Sequence, residues 1–307
     1  CPRLHYGVQG PHEQLGPVNM SITDKCILIV AEELRTRLAE PGWTVIDCRS
    51  DLGDPKAGRR DYLAGHVPGA VFLDLDEDLA GPVTPQTGRH PLPDPEVLAG
   101  KLGALGIHRN HKLAVYDDSH GGVAARAWWV LRWLGHEEAY LLDGGFAHWK
   151  ALRLPLQSGF VARKRTQYET RIRRDLVIST DELEAAGDDI ESLRLLDARD
   201  AARFRGEQEP IDPVAGHVPG AVSAPFSDFV REDGTWRPLA ERERRLDEAL
   251  GGDREAPWCV MCGSGVTACH LAISALEAGF REPRLYVGSW SDWIRERRRP
   301  VSTSDPD

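Results

Sequence analysis

Gly65-His66-Val67-Pro68-Gly69-Ala70 recurs, residue for residue, as Gly216-His217-Val218-Pro219-Gly220-Ala221. A six-residue identity so far apart in one chain marks an internal duplication of a whole unit. Setting the hexapeptides in register aligns the remaining landmarks. Val45-Ile46-Asp47 precedes the first copy and Leu195-Leu196-Asp197 the second. The apolar runs Leu113–Asp117 and Trp258–Cys262 follow, and then Asp143-Gly144-Gly145-Phe146-Ala147-His148-Trp149 and Val287-Gly288-Ser289-Trp290-Ser291-Asp292-Trp293. Order is kept and spacing nearly so. The difference that matters is one position: the first apolar run ends in Asp117 and the second in Cys262.

The chain of 307 residues divides into halves of roughly 130–150, each large enough for its own core. Hydrophobic residues make up 41% and charged residues 28%, the balance of an ordinary globular protein. No apolar run approaches the ~20 residues that span a bilayer, so no membrane association is expected. A net charge of −10 lacks the basic face that nucleic acid requires, while a local basic pocket for a small anion remains compatible with it. The six cysteines are few and irregularly spaced. With no clear signal peptide, they predict free thiols and a cytoplasmic setting. The spacing predicts a disordered or added extension over 1–21, a first domain over 22–155, and a charged linker over 156–175. A second domain is expected over 176–301 and a tail over 302–307.

Short apolar strands alternate with helical stretches in both halves. In the first, strands are expected at Ile27–Val30, Thr44–Cys48, Ala70–Leu73, Leu113–Tyr116 and Ala139–Leu142. Helices are expected at Ala31–Ala39, Pro95–Leu105 and Val123–Leu134, with a helical turn over Arg59–Gly65. In the second, strands are expected at Arg194–Asp197, Ala221–Ala224, Pro257–Met261 and Arg284–Val287. Helices there are expected at Ser179–Ala186, Ala240–Leu250 and Val266–Ala278, the first opened by the capping box Ser179-Thr180-Asp181-Glu182. The pattern is that of an α/β protein in which each half has a mainly parallel central sheet flanked by helices.

Cys262-Gly263-Ser264-Gly265-Val266-Thr267 leaves a buried strand and opens a helix. A thiol there faces backbone N–H groups that the helix cannot satisfy internally, at its positive end. Both effects favour thiolate over thiol. The glycines let successive N–H groups converge on one anion, and Ser264 and Thr267 add hydroxyl donors. Such a loop suits a sulfur nucleophile or a persulfide anion and needs no metal or organic cofactor. A cysteine at a strand end is otherwise most simply a small buried hydrophobe; the glycine loop and the helix start are what distinguish this one.

The duplicated unit, the paired hexapeptides, the Cys-Gly-Ser-Gly-Val-Thr loop and the closing Gly-Ser-Trp-Ser-Asp-Trp together resemble the two-domain rhodanese sulfurtransferases over nearly the whole chain. The resemblance implies tandem rhodanese-like domains, the first inactive and the second catalytic. It implies a Cys262 persulfide loaded by a small anionic sulfur donor and unloaded by cyanide or a thiol, with a thioredoxin-like reductant as a further candidate partner. Thiosulfate-preferring members carry Arg and Lys after the cysteine; Gly263 and Ser264 stand there in this chain, as in the 3-mercaptopyruvate sulfurtransferase branch. That branch implies a Ser-His-Asp relay, mapped here to Ser264 and His66, with Asp61 or Asp54 as the acid. It also implies that Arg203 binds the donor's carboxylate alongside Gly263, Gly265, Val266 and Thr267. A second arginine of the branch is replaced by Asp212, which leaves Arg126 and Arg199 as substitute anion ligands. Because His66 comes from the first half, the site is expected between the domains.

Other constellations carry less. Cys259-Val260-Met261-Cys262 is a lone C-x-x-C whose two ends would point to opposite faces of a strand. A thiol-disulfide oxidoreductase and a non-catalytic rhodanese-like binding module are the alternative readings. A Cys-loop phosphatase would need an arginine six residues after the cysteine, where Ala268 stands. The tryptophans at 128, 129, 133, 149, 290 and 293 read as core and domain contacts.

Overall fold

The computed structural model describes residues 26–186 and 193–303. The expected extension over 1–21 and most of the 302–307 tail lie outside them.

The first half runs β1 (Leu28–Ile29), α1 (Ala31–Arg37), β2 (Trp43–Asp47), α2 (Ala57–Ala64), β3 (Val71–Phe72), α3 (Pro95–Ala104), β4 (Lys112–Tyr116), α4 (Gly122–Trp133), β5 (Ala139–Leu142) and α5 (Gly145–Ala151). The second runs β6 (Val177–Ile178), α6 (Thr180–Ala186), β7 (Leu195–Asp197), α7 (Ala201–Phe204), β8 (Val222–Ser223), α8 (Leu239–Leu250), β9 (Cys259–Met261), α9 (Ala268–Glu277), β10 (Arg284–Tyr286) and α10 (Ser289–Trp293). The sheets have orders β1-β5-β4-β2-β3 and β6-β10-β9-β7-β8, the same order twice, with every pairing parallel. Strands this short and apolar are buried on both faces, as parallel sheets require. The duplication read from the hexapeptide is therefore a duplication of topology.

Strands β1 and β6 edge the two sheets, and the short α5, α7 and α10 follow tight turns; none of α5, α7, α10 or β6 shows a periodic pattern long enough to predict. The capping box is real: the Ser179 N–H donates to Glu182 Oε2 (2.9 Å) and the Glu182 N–H to Ser179 Oγ (3.2 Å). The tryptophans expected in the core are buried there.

Helices α4 and α9 pack across the domain boundary. Glu277 at the end of α9 accepts from the N–H groups of Ile27 and Leu28, tying the second domain to the start of the first sheet. The segment expected as a linker lies along the first domain. Its Thr166 N–H donates to Gly103 O (2.9 Å), and the N–H groups of Arg171 and Arg173 donate to the carbonyls of Leu134 and Trp133 (2.8 Å each).

Candidate active site

Cys262 follows the central strand of the second sheet and is 2% exposed. The loop it opens turns through Gly265 at φ 73°, and a side chain there would meet the Val287 carbonyl at 2.5 Å. This turn delays α9 to Ala268, two residues later than periodicity predicts. The far side of the loop is clamped by α10. The N–H groups of Trp290 and Ser291 donate to the carbonyls of Cys262 (3.0 Å) and Gly263 (2.9 Å). Ser289 is held at φ 51°, an uncommon conformation for a residue with a side chain. Its hydroxyl accepts the Cys262 N–H (3.1 Å) and donates a hydrogen bond to Tyr286 O (2.8 Å). The amides of Gly263 to Thr267 find no hydrogen-bond acceptor among the described residues.

The Ser264 hydroxyl lies 2.8 Å from His90 Nδ1, and His90 Nε2 lies 3.2 Å from Asp76 Oδ1. The carboxylate fixes the proton on Nε2, so Nδ1 accepts from Ser264. Burial lowers the His90 pKa to about 4, helped by the Arg126 charge and opposed by Asp76, so the ring is neutral at neutral pH. The relay geometry that the resemblance assigned to His66 and Asp61 is thus formed by His90 and Asp76. His66 sits elsewhere: its Nδ1–H donates to Tyr62 O (2.7 Å), its ring stacks on Tyr62, and its backbone pairs with Gln157. His217 repeats this, bonding Phe204 O (2.8 Å), stacking on Phe204 and pairing with Ser302. The hexapeptide histidines anchor the returning end of each domain. Asp61 lies on exposed α2 beside Arg60, and Asp54 pairs with Arg60 as well.

Two of the three arginine expectations change. Arg199 is buried against Asp197 and Gly216 O, the twin of Arg49 against Asp47 and Gly65 O; it braces the sheet and does not reach the cleft. Arg126, fully buried in α4, donates to the carbonyls of Leu79, His90, Pro91 and, across the domain boundary, Gly265 (3.0 Å). It has no carboxylate partner among the described residues and positions both the His90 loop and the Cys262 loop. Arg203 does face the cleft, paired with Glu209 (2.7 Å) and Asp212 (3.1 Å). Asp212 also pairs with Arg89, which enters from the first domain beside His90.

A cavity of about 240 Å³ lies between the domains, lined by Arg203, Cys262, Gly263, Ser264, Val266 and Thr267 of the second and Arg89, His90, Ser119 and Val123 of the first, with Asp212 behind the two arginines. That volume suits a small metabolite rather than a large cofactor. Cys259 takes no part. Its side chain packs in a different core cluster from Cys262, as strand alternation predicts, and burial raises its pKa to about 11. Cys269 is likewise core, pushed by burial to about 12.

His90, Asp76 and Arg89 escaped sequence reasoning because they lie in turns without periodicity; the one local signal was Arg89-His90 in a loop bounded by prolines.

Two parallel α/β domains, one ending its central strand in a cysteine that faces the interdomain cleft, define a tandem-domain thiol enzyme. The rhodanese-like domain family matches residues 30–152 and 179–296, and the chain belongs to it. The chain is 48% identical over 280 residues to a probable 3-mercaptopyruvate sulfurtransferase of Pseudomonas aeruginosa, covering 91% of this chain and 98% of that one. It is 36% identical to a putative thiosulfate sulfurtransferase of Mycobacterium tuberculosis, covering 90% and 96%. Among solved structures, the 3-mercaptopyruvate sulfurtransferase from Leishmania major superposes with a TM-score of 0.80 at 29% identity, over 90% of this chain and 76% of that one. The protein is a sulfurtransferase of the tandem rhodanese class, and as such it takes sulfur from a donor and passes it to an acceptor.

Proposed function

We propose that the protein moves a sulfane sulfur from 3-mercaptopyruvate, or less readily thiosulfate, to cyanide or a thiol through a persulfide on Cys262. The observation that carries this reading is that Cys262 and Ser264 line one cleft, with the Ser264 hydroxyl 2.8 Å from His90 Nδ1 and His90 Nε2 3.2 Å from Asp76 Oδ1. The Cys262 thiolate attacks the donor sulfur. With 3-mercaptopyruvate the carbon–sulfur bond breaks, the electron pair stays on carbon, and the proton of the donor thiol ends on that carbon to give pyruvate. Ser264 and neutral His90 stand where that proton must pass, which is what general acid–base transfer requires. With thiosulfate the sulfur–sulfur bond breaks, sulfite leaves, and no proton moves. In either case an acceptor then removes the outer sulfur and restores the thiolate.

The loop amides favour negative sulfur, and Gly263, Gly265, Val266 and Thr267 shape that cradle. Arg203 orients the donor's carboxylate. In this reading residues 22–155 are scaffold and supply His90, while 176–301 carry the nucleophile. A thioredoxin-like reductant as partner and a cytoplasmic location are consistent with Cys48, Cys259, Cys262 and Cys269 being free thiols. Among the described residues no helix is long and apolar enough to cross a membrane.

The test is mass spectrometry of the protein after exposure to 3-mercaptopyruvate. The expected result is a gain of one sulfur atom on Cys262, lost again on adding cyanide. A Cys259–Cys262 disulfide in its place would support the redox alternative.

A further inference from the structure

We propose that Asp212 is a resident carboxylate in the donor's anion subsite, which, together with Arg89, sets how strongly the site discriminates donors by charge. This rests on the reading of the cleft as a sulfur-donor site. The side chain of Asp212 is 3% exposed and bridges two guanidinium groups, Arg203 from its own domain and Arg89 from the other. Those guanidinium groups converge on the residue next to the nucleophile. A side chain built at Gly263 would stand 2.9 Å from Arg89 Nη2 and 3.6 and 3.7 Å from Arg203 Nη2 and Nη1. Glycine is thus the residue that admits both cations beside Cys262. Arg89 is 34% exposed, and its backbone N–H is fixed by Ser291 Oγ (3.0 Å), so it is held at the cleft rather than free in solvent.

The charges of this cluster cancel: Arg89, Arg203 and Arg199, whose Nη1 lies 3.6 Å from Glu209, against Glu209, Asp212 and the Asp197 that holds Arg199. A donor anion therefore meets arginines already engaged by a carboxylate, and must share them with Asp212 or displace it. Burial raises the Asp212 carboxyl above its ordinary range in spite of both arginines, so its charged form carries a desolvation cost that the two guanidinium groups only partly offset. Glu209, which also accepts the N–H groups of Ile211 and Asp212, is the anchor of Arg203, whereas Asp212 faces both cations at once.

The charge of the donor gives a distinctive signature. 3-Mercaptopyruvate carries one negative charge at neutral pH and thiosulfate two. Removing one negative charge from the cluster helps a dianion twice as much, in free energy, as a monoanion. Asp212→Asn should then raise kcat/KM for 3-mercaptopyruvate about tenfold and for thiosulfate by about the square of that factor, mainly through KM and more steeply at low salt. Arg89→Gln should move the thiosulfate-to-mercaptopyruvate ratio the opposite way. A residue that merely held the loop would shift both donors alike and in the same direction in both variants.

The experiment is steady-state kinetics with the two donors at two salt concentrations, for the unaltered protein and both variants. A donor ratio unmoved by Asp212→Asn overturns the inference. If Asp212→Asn does not fold by circular dichroism, Arg89→Gln decides alone, and an unchanged or raised ratio overturns it. Absence of sulfur loading on Cys262 in the unaltered protein would overturn the donor-site reading and this inference together, whereas loading with an unmoved ratio would overturn this inference only.

Discussion

The loops that follow the central strand of each sheet are the same device, one filled by its own side chain and one left for a sulfur anion. In the first domain Asp117 turns its carboxylate into the loop: Oδ1 accepts the N–H groups of Ser119 and Gly121 (2.9 Å each), and Oδ2 that of Ala124 (2.8 Å). In the second, Cys262 stands at the equivalent place, and the amides from Gly263 to Thr267 have no acceptor among the described residues. The outer clamp is shared, since Phe146 N–H donates to Asp117 O as Trp290 N–H does to Cys262 O. Ser119 follows Asp117 by two residues as Ser264 follows Cys262. The Ser264 hydroxyl meets His90, whereas the buried Ser119 hydroxyl has no hydrogen-bond partner among the described residues. A rhodanese-like fold thus makes a cradle of amides in either half, and on the proposed reading catalysis adds to it an exchangeable sulfur anion and a histidine lent by the opposite domain.

The most severe way to break the comparison is to make the second loop a copy of the first. Cys262→Asp should abolish turnover, as removal of a covalent nucleophile does. It should also fold, with a Tm at or above that of Cys262→Ser, because the new carboxylate can accept the loop amides in the manner of Asp117. A Tm several degrees below that of Cys262→Ser would show that the two cradles are not equivalent.

A smaller effect sharpens the roles of the histidines. His90→Asn should lower kcat with 3-mercaptopyruvate by about 10²–10³-fold, the usual worth of a positioned acid–base group. With thiosulfate, where no proton moves, the loss should be far smaller. His66→Asn should instead cost about 1–2 kcal/mol of stability through its buried bond to Tyr62 O, with kcat of the folded enzyme retained. Equal losses of kcat with both donors in His90→Asn would reduce His90 to a structural role.

How much of this was legible in the sequence follows from where each residue lies. The parallel sheets and the Cys262 loop could be read because strand, glycine turn and helix start are local features with a pattern of their own. The repeat pointed correctly to duplication and wrongly to His66. A histidine repeated in both halves serves what both halves share, the anchoring of a domain's end, and an asymmetric site is built from what they do not share. His90, Asp76 and Arg89 belong to loops whose meaning appears only when the second domain packs against them. Arg126 and Arg199 read as substitute anion ligands because a fully buried arginine has no sequence signature; its partners are carbonyls and a sheet-end aspartate brought together by topology.

The most gradual expected effect concerns pH and tests whether the relay is as dry as its geometry implies. Burial holds the His90 pKa at about 4 in the folded protein, against 6.5 for an ordinary imidazole. Between those values the unfolded chain binds a proton that the folded one refuses, so this group lowers stability as pH falls from about 6.5 to 4. The whole drop is ~3 kcal/mol for one ring. Because His136 and His270 are shifted down by burial as well, the acid slope should persist in His90→Asn but be less steep by one proton. Denaturant unfolding at several pH values between 4 and 7 would measure the difference. The kinetic counterpart is a kcat with no limb from His90 between pH 5 and 8. An acidic limb near 6.5 that disappears in His90→Asn would mean the ring is solvated in the working enzyme, and the Ser264–His90–Asp76 line would then be an open contact rather than the buried proton path that separates the second loop from the first.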